Sequence, residues 1–279
     1  MFKGSRFRQK LRECASILHR ELKICVTRDV QVDKWIFVVG CYNSGTELLL
    51  NVLGAHPEIS SLPVEGQFLS DDLLRDYALG IPRMWVLRED LFRLTEQDEG
   101  PDPVRLRYEW LMRLDRKKRM FVEKSPANAA RTRWLQHHFE NAHFIAVVRN
   151  GYAVAEGIRR KAEPHHRLQG WPIDLCARRG LRSNEILLED AWDLRNIEWV
   201  TYEEFTEAPD EVFDRLSGFL DVHREGFRAR GQWKIHEREE PIRNLNEASI
   251  KRLTTEERRG VSEVADSLLE HLRYANEQR

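Results

Sequence analysis

Nowhere in the 279 residues does an apolar run approach the roughly twenty needed to cross a bilayer, so a helical membrane span is excluded. Net charge is also missing: 45 Lys and Arg stand against 46 Asp and Glu. General nucleic-acid binders carry a basic excess or stripe, so no nucleic-acid partner is expected. Overall balance still allows a local basic pocket for a small polyanion. Cysteine is scarce. Cys14, Cys25, Cys41 and Cys176 form neither a CxxC metal pair nor a dense disulfide framework. Reduced thiols in a reducing, cytoplasmic compartment are expected. The histidines show no HExxH spacing, so no metal is expected, and His137 and His138 read as packing or surface residues. No serine sits in a G-x-S-x-G context, which disfavours nucleophilic hydrolase chemistry.

Large apolar groups are abundant. Eight Trp and twelve Phe are too many for a solvated coil, and the length fits one large α/β domain or two small domains. The first residues, MFKGSRFRQKLRECASILHRELKICV, are basic, but charges interrupt their apolar positions. A secretory signal needs an unbroken apolar stretch, so an amphipathic helix is expected instead. Leu11, Ile17, Leu18, Leu22 and Ile24 would be its buried positions. Docking on the domain is the commoner fate of such a helix, with a peripheral membrane or partner contact as the alternative.

Four apolar runs read as buried strands: Trp35–Gly40, Met120–Val122, His143–Arg149 and Ile197–Tyr202. Helical segments separate them, at Glu47–Ala55, Ala127–Phe139 and Asp210–Leu220. This alternation predicts an α/β fold, a three-layer αβα arrangement with a central parallel sheet. One domain over residues 1–279 is expected, with residues 1–33 as a helical extension. Residues 67–119 and 162–190 are not needed to complete a sheet and read as helical cap insertions, where acceptor selection would lie. Their Trp85, Trp110, Trp171 and Arg167 suit either sugar stacking or an anionic acceptor. Residues 246–274 read as one or two amphipathic helices, with Thr254–Glu257 (TTEE) suiting a helix start.

The strongest local signal is Val38–Leu50, VVGCYNSGTELLL. A strand ends at Gly40, a polar loop follows, and a helix begins near Thr46. Loop N–H groups and the positive end of the helix dipole make an anion cradle there. Ser44 and Thr46 add hydroxyls, and Gly45 lets the backbone approach closely. The G-x4-G spacing is that of a nucleotide loop, but Thr46 stands where nucleoside-triphosphate loops carry Lys. That argues against a conventional kinase or GTPase. A structural turn made of small residues is the plain alternative.

Gly40–Leu49, GCYNSGTELL, resembles the 5′-phosphosulfate loop of sulfotransferases, G-x-x-[RK]-S-G-T-[TS]-[LW]-L. Ala55–Ile59, AHPEI, is similar to the bacterial and carbohydrate or tyrosyl branch of that family. The resemblance continues in register over residues 34–275. His143–Lys161, HFIAVVRNGYAVAEGIRRK, resembles the 3′-phosphate segment, which implies Arg149 on that phosphate, with Lys161 as a second candidate. Gly157 stands where the family usually has Ser. Phe121–Asn128, FVEKSPAN, resembles the segment carrying a stabilising cation and implies that role for Lys124. Glu65, in SLPVEGQFL, lies where relatives place the base that deprotonates the acceptor. Glu47 and Glu58 are rival carboxylates, and Glu47 is expected to point away from a bound sulfate. Ile197–Leu220 resembles the V-x-Y-E-D/E-L segment, with Tyr202 ending the last strand and walling the nucleotide site. Pro241–Leu253 resembles the loop that closes over the nucleotide, with Asn244 its candidate contact.

The resemblance implies a transfer of a sulfuryl group from 3′-phosphoadenosine 5′-phosphosulfate, held on Asn43–Thr46 and Arg149, to a hydroxyl or amine of a sugar, lipid, peptide or metabolite, without a metal. Two other readings stay open. One is a magnesium-dependent P-loop phosphotransferase. The other is a degenerate relative that binds the nucleotide without turnover, motivated by Asn43, Glu47 and Gly157 at positions where the family pattern differs.

Overall fold

A computed structural model of the chain describes residues 30–162, 170–228, 233–235 and 238–264, with Leu18 and Leu22 besides. Its centre is a five-stranded, wholly parallel sheet. The strands are β1 (Lys34–Gly40), β2 (Ile59–Ser61), β3 (Met120–Glu123), β4 (Ala142–Val148) and β5 (Ile197–Thr201). Their spatial order is β2-β3-β1-β4-β5, so β1 lies centrally between β3 and β4. The sequence predicted the four longer strands. The three-residue edge strand β2 is too short to show a pattern.

Side chains alternate along β1 because successive residues point to opposite faces. Trp35, Phe37 and Val39 enter one core, and Ile36 and Val38 the other. Both faces are therefore covered, which explains why the strand is apolar from Trp35 onward. On the second face lie α1 (Thr46–Gly54) and, further along the chain, Pro209–Leu220. On the first face lie α2 (Glu89–Phe92), α3 (Pro103–Leu111), α4 (Thr132–His138), α5 (Gly151–Ala162) and α6 (Ile173–Ala191). The fold is thus the expected αβα arrangement. After β5 come α7 (Tyr202–Glu207), α8 (Pro209–Leu220), a hairpin of β6 (Trp233–Ile235) with β7 (Arg238–Glu240), and α9 (Asn246–Ile250). Residues 255–264 are helical. Their start is capped reciprocally: Glu257 N–H donates to Thr254 Oγ1 at 3.2 Å, and Thr254 N–H to Glu257 Oε2 at 2.8 Å.

Several expectations need correcting. Leu18 and Leu22 are helical but 69% and 59% exposed, because no described residue covers them. Leu11, Ile17 and Ile24, also expected as buried positions, lie outside the described residues with Cys14, Cys25 and Arg167. Cys41 and Cys176 are free and buried. Trp85 and Trp110 are fully buried in the core, and the Trp110 indole donates to the Gly66 carbonyl at 3.1 Å. Neither can stack on a sugar. Tyr202 does not end β5 but opens α7, since Thr201 caps that helix through a reciprocal bond with Glu204.

Candidate active site

The carboxyl ends of β1, β3 and β4 open into one cleft of about 890 Å³. This is where ligands bind in open parallel sheets. Asn43, Gly45 and Thr46 form its floor at the start of α1. Gly45 has φ +103, and a Cβ there would stand 2.5 Å from the Tyr202 ring. Only glycine fits. Asn43 also has positive φ, +64, which Asn tolerates better than most residues. Ser44 does not face the cleft: its hydroxyl donates to the Cys41 carbonyl at 2.7 Å and closes the loop.

Arg149 follows β4 and lies in the cleft wall. Its guanidinium stacks on Tyr202 at 4.0 Å, donates Nε to Asn246 Oδ1 at 2.7 Å and Nη1 to the Asn43 carbonyl at 2.8 Å. Its Nη2 is buried without a partner among the described residues, as is the Asn43 Nδ2. Two orphaned donors beside an anion cradle fit a phosphate ligand. Gly157, Arg160 and Lys161 line the cleft from one face of α5, at helical spacing. Burial pulls the Lys161 pKa down to about 8, with Arg83, Arg160 and Arg149 adding to the effect. A Cβ on Gly157 would come within 2.9 Å of the Asn43 side chain. The two departures from the resembling pattern are therefore neighbours, and the small residue makes room for the amide.

Lys124 and Glu65 meet across the cleft: Nζ donates to Glu65 Oε1 at 2.6 Å. Lys124 also pairs with Glu47 Oε2 at 2.7 Å. The expectation that Glu47 points away is thus wrong. The first turn of α1 aims it into the cleft, where the ammonium draws it in. Burial penalises the charge on Lys124, but Glu65 and Glu47 outweigh that and hold its pKa above the ordinary lysine value. Glu65 Oε2 also accepts from Gln67 Nε2 at 2.6 Å. Glu58 stays outside the cleft and accepts the His223 N–H at 3.0 Å.

Beneath this pair lies Glu123, fully buried at the end of β3. It accepts the Gly66 N–H at 2.9 Å and bonds to Ser125 Oγ and Asn128 Nδ2. Ser125 Oγ accepts the Gln67 N–H at 3.2 Å. The loop bearing Glu65 is thus fastened to the strand bearing Lys124. Burial pushes the Glu123 pKa up to about 7, against the bonds from Ser125 and Gly66 and the nearby Arg131.

Tyr202 ties down the covering segment: its hydroxyl donates to the Arg243 carbonyl at 2.9 Å and accepts the Leu245 N–H at 3.1 Å. Asn244 turns outward to Glu207 at 2.9 Å and does not line the cleft, although Arg243 and Leu245 do. Asn246 holds Arg149 from this segment instead. The sequence reading missed Tyr42, Phe68, Tyr77, Arg83 and Arg160 as lining residues. Helical spacing from Gly157 was the signal for Arg160. Arg83 had only a Pro-Arg turn to mark it.

The sequence model described as the sulfotransferase family matches residues 36–226. No curated protein matches the chain. Among solved structures, a sulfotransferase from Alicyclobacillus acidocaldarius superposes with a TM-score of 0.53 at 17% identity, over 86% of this chain and 94% of that one. The sulfotransferase domain of the Synechococcus olefin synthase gives 0.54 at 19%, over 86% and 95%. A Mycobacterium tuberculosis sulfotransferase gives 0.51 at 13%, over 88% and 80%. At such identities the likeness is one of fold.

Proposed function

The chain belongs to the sulfotransferase family, and on that footing we propose that it transfers a sulfuryl group from 3′-phosphoadenosine 5′-phosphosulfate to a hydroxyl or amine. The observation that carries the reading is the direct contact of Lys124 with Glu65, 2.6 Å apart, beside the anion loop. That contact supports a reading in which the cation acts on the leaving oxygen and the carboxylate on the acceptor.

In this reading Arg149 takes the 3′-phosphate with its orphaned Nη2, and Tyr202 backs the guanidinium. Asn43 Nδ2 and the N–H groups at the start of α1 hold the 5′-phosphosulfate. Lys161 adds charge from α5. Glu65 accepts the acceptor's proton as its oxygen bonds to sulfur. The bond from sulfur to the bridging oxygen breaks, and its electron pair stays on the departing bisphosphate. An ammonium has three N–H donors. Two reach Glu47 and Glu65, which leaves one for the bridging oxygen, where the charge grows. As in phosphoryl transfer, positioning and fixed charge do most of the work.

The test is transfer of radiolabelled sulfate from the donor to a panel of sugars, phenols, amines and peptides. Wild-type protein should label at least one acceptor, and Glu65→Gln should lower the rate by about 10²–10⁴. Folded wild-type protein that labels none, or a Glu65→Gln variant at wild-type rate, would sink the proposal. A binding-only role is the second reading, because Glu47 occupies part of the Lys124 ammonium. Any labelled acceptor removes it.

A further inference from the structure

Arg83 is the third residue of a tight turn, Ile81 to Met84, closed by the Met84 N–H on the Ile81 carbonyl at 2.9 Å. It follows Pro82 and has φ +63. Turns of this kind favour glycine at that position, so an arginine there is strained. The strain is held from behind. Arg179, fully buried on α6, donates Nε to the Arg83 carbonyl at 2.9 Å, and Trp171 donates Nε1 to the Pro82 carbonyl at 3.0 Å.

What this turn presents to the cleft is a guanidinium. It lies 4.9 Å from the Tyr42 ring centroid and beside the Tyr77 hydroxyl. Its Nε is buried with no partner among the described residues. The two carboxylates lining the cleft, Glu47 and Glu65, are both engaged by Lys124. Asp76 is buried and does not line the cleft, and burial raises its pKa against the nearby Arg179 and Arg83. Lys161 is close enough for Arg83 to depress its pKa, so positive charge gathers on this side. The groups around Arg83 are not those around Arg149, which faces Tyr202, Asn246 and the Asn43 carbonyl. Phe68, three residues beyond Glu65, lines the cleft and is 48% exposed, offering an apolar face beside the carboxylate.

We propose that the acceptor is an anion, with its attacking hydroxyl at Glu65, its apolar body on Phe68, and its carboxylate, phosphate or sulfate group on Arg83. The proposal rests on the sulfuryl-transfer reading and adds the substrate class to it. A strained backbone position supported by two partly buried hydrogen bonds fixes one cation on the wall that also carries the Tyr42 and Tyr77 rings. An anion there gains charge-assisted hydrogen bonds from a donor set that has already lost much of its water.

The experiment is calorimetry on the full chain saturated with 3′,5′-adenosine bisphosphate. The probes are matched pairs: 4-hydroxyphenylacetate against its amide, methyl β-glucuronide against methyl β-glucoside, and 4-hydroxyphenyl phosphate against hydroquinone. These pairs separate aryl acid, uronate and phosphate ester as the source of the charge. At least one anionic member should bind about tenfold or more tighter than its neutral partner. Arg83→Gly suits the positive φ and keeps the turn, so it should abolish the preference without changing bisphosphate affinity. Arg83→Lys should retain part of it. Equal binding within every pair, no binding of any anion, or a preference that survives Arg83→Gly overturns this proposal alone. Failure of the bisphosphate to bind removes the donor reading and this proposal together.

Discussion

Replacing Lys124 by Ala removes an ammonium that is 4% exposed and lies 2.7 Å from Glu47 and 2.6 Å from Glu65. Its effect on rate follows from the charge it is placed to stabilise. Loss of one preorganised donor at a developing anion costs about 10²–10³ in kcat, or about 2.7–4 kcal/mol. A second effect acts on stability. Breaking a fully buried ion pair costs about 3–5 kcal/mol. The Glu47 and Glu65 side chains are 34% and 20% exposed, so solvent screens what is left behind. About 1–2 kcal/mol is expected after that discount. The two carboxylates then face each other without a cation between them. The double variant Lys124→Ala, Glu47→Gln separates the two effects. It should regain most of the lost stability in thermal denaturation and none of the lost rate in single-turnover transfer, while both variants keep bisphosphate affinity in calorimetry. If Lys124→Ala turns over at the wild-type rate, or the double variant recovers it, the ammonium serves only to neutralise Glu47.

Glu123→Gln should fold, because Oε1 keeps its bonds from Gly66 and Ser125, and the unpaired Asn128 Oδ1 can accept from the new amide. The native pKa of Glu123 is raised to about 7 from 4.5, so its contribution to stability is full below 4.5 and is lost as pH rises through 7. Denaturant melts of Glu123→Gln should therefore show a flatter decline over that interval, and an unchanged slope would refute the assignment. Gly157→Ser puts a Cβ 2.9 Å from the Asn43 side chain and should cost about 1–3 kcal/mol, read as a lower Tm. Adding Asn43→Gly, which suits φ +64, should recover it. Tyr202→Phe removes the bonds to Arg243 and Leu245 but keeps the ring under Arg149, so bisphosphate should dissociate about thirtyfold faster, as two hydrogen bonds of about 1 kcal/mol each imply.

The sheet was legible because β1, β3 and β4 are buried on both faces and so are apolar apart from Lys34, Glu123 and His143. The anion loop was legible because its chemistry is local: a strand, a Gly-bearing turn and a helix start within one short segment. Contacts between distant segments were not. Nothing in the order of residues says that Glu47 turns inward, since that depends on Lys124, which lies 77 residues further on. Nor does it say that Gly157 is empty because Asn43 fills the space. Trp85 and Trp110 misled for the opposite reason. They sit in a charged stretch that resembles a surface cap, yet their rings complete the core on one face of the sheet.

The claim on which everything else depends is that Arg149 and the loop at Asn43–Thr46 bind an adenosine 3′,5′-bisphosphate. Calorimetry with that compound, in the absence of divalent metal, tests it directly. One site per chain is expected, weakened by at least about tenfold in Arg149→Ala. Folded protein that takes up no bisphosphate, or an Arg149→Ala variant that binds it as wild type does, would show that this cleft is not a bisphosphate site.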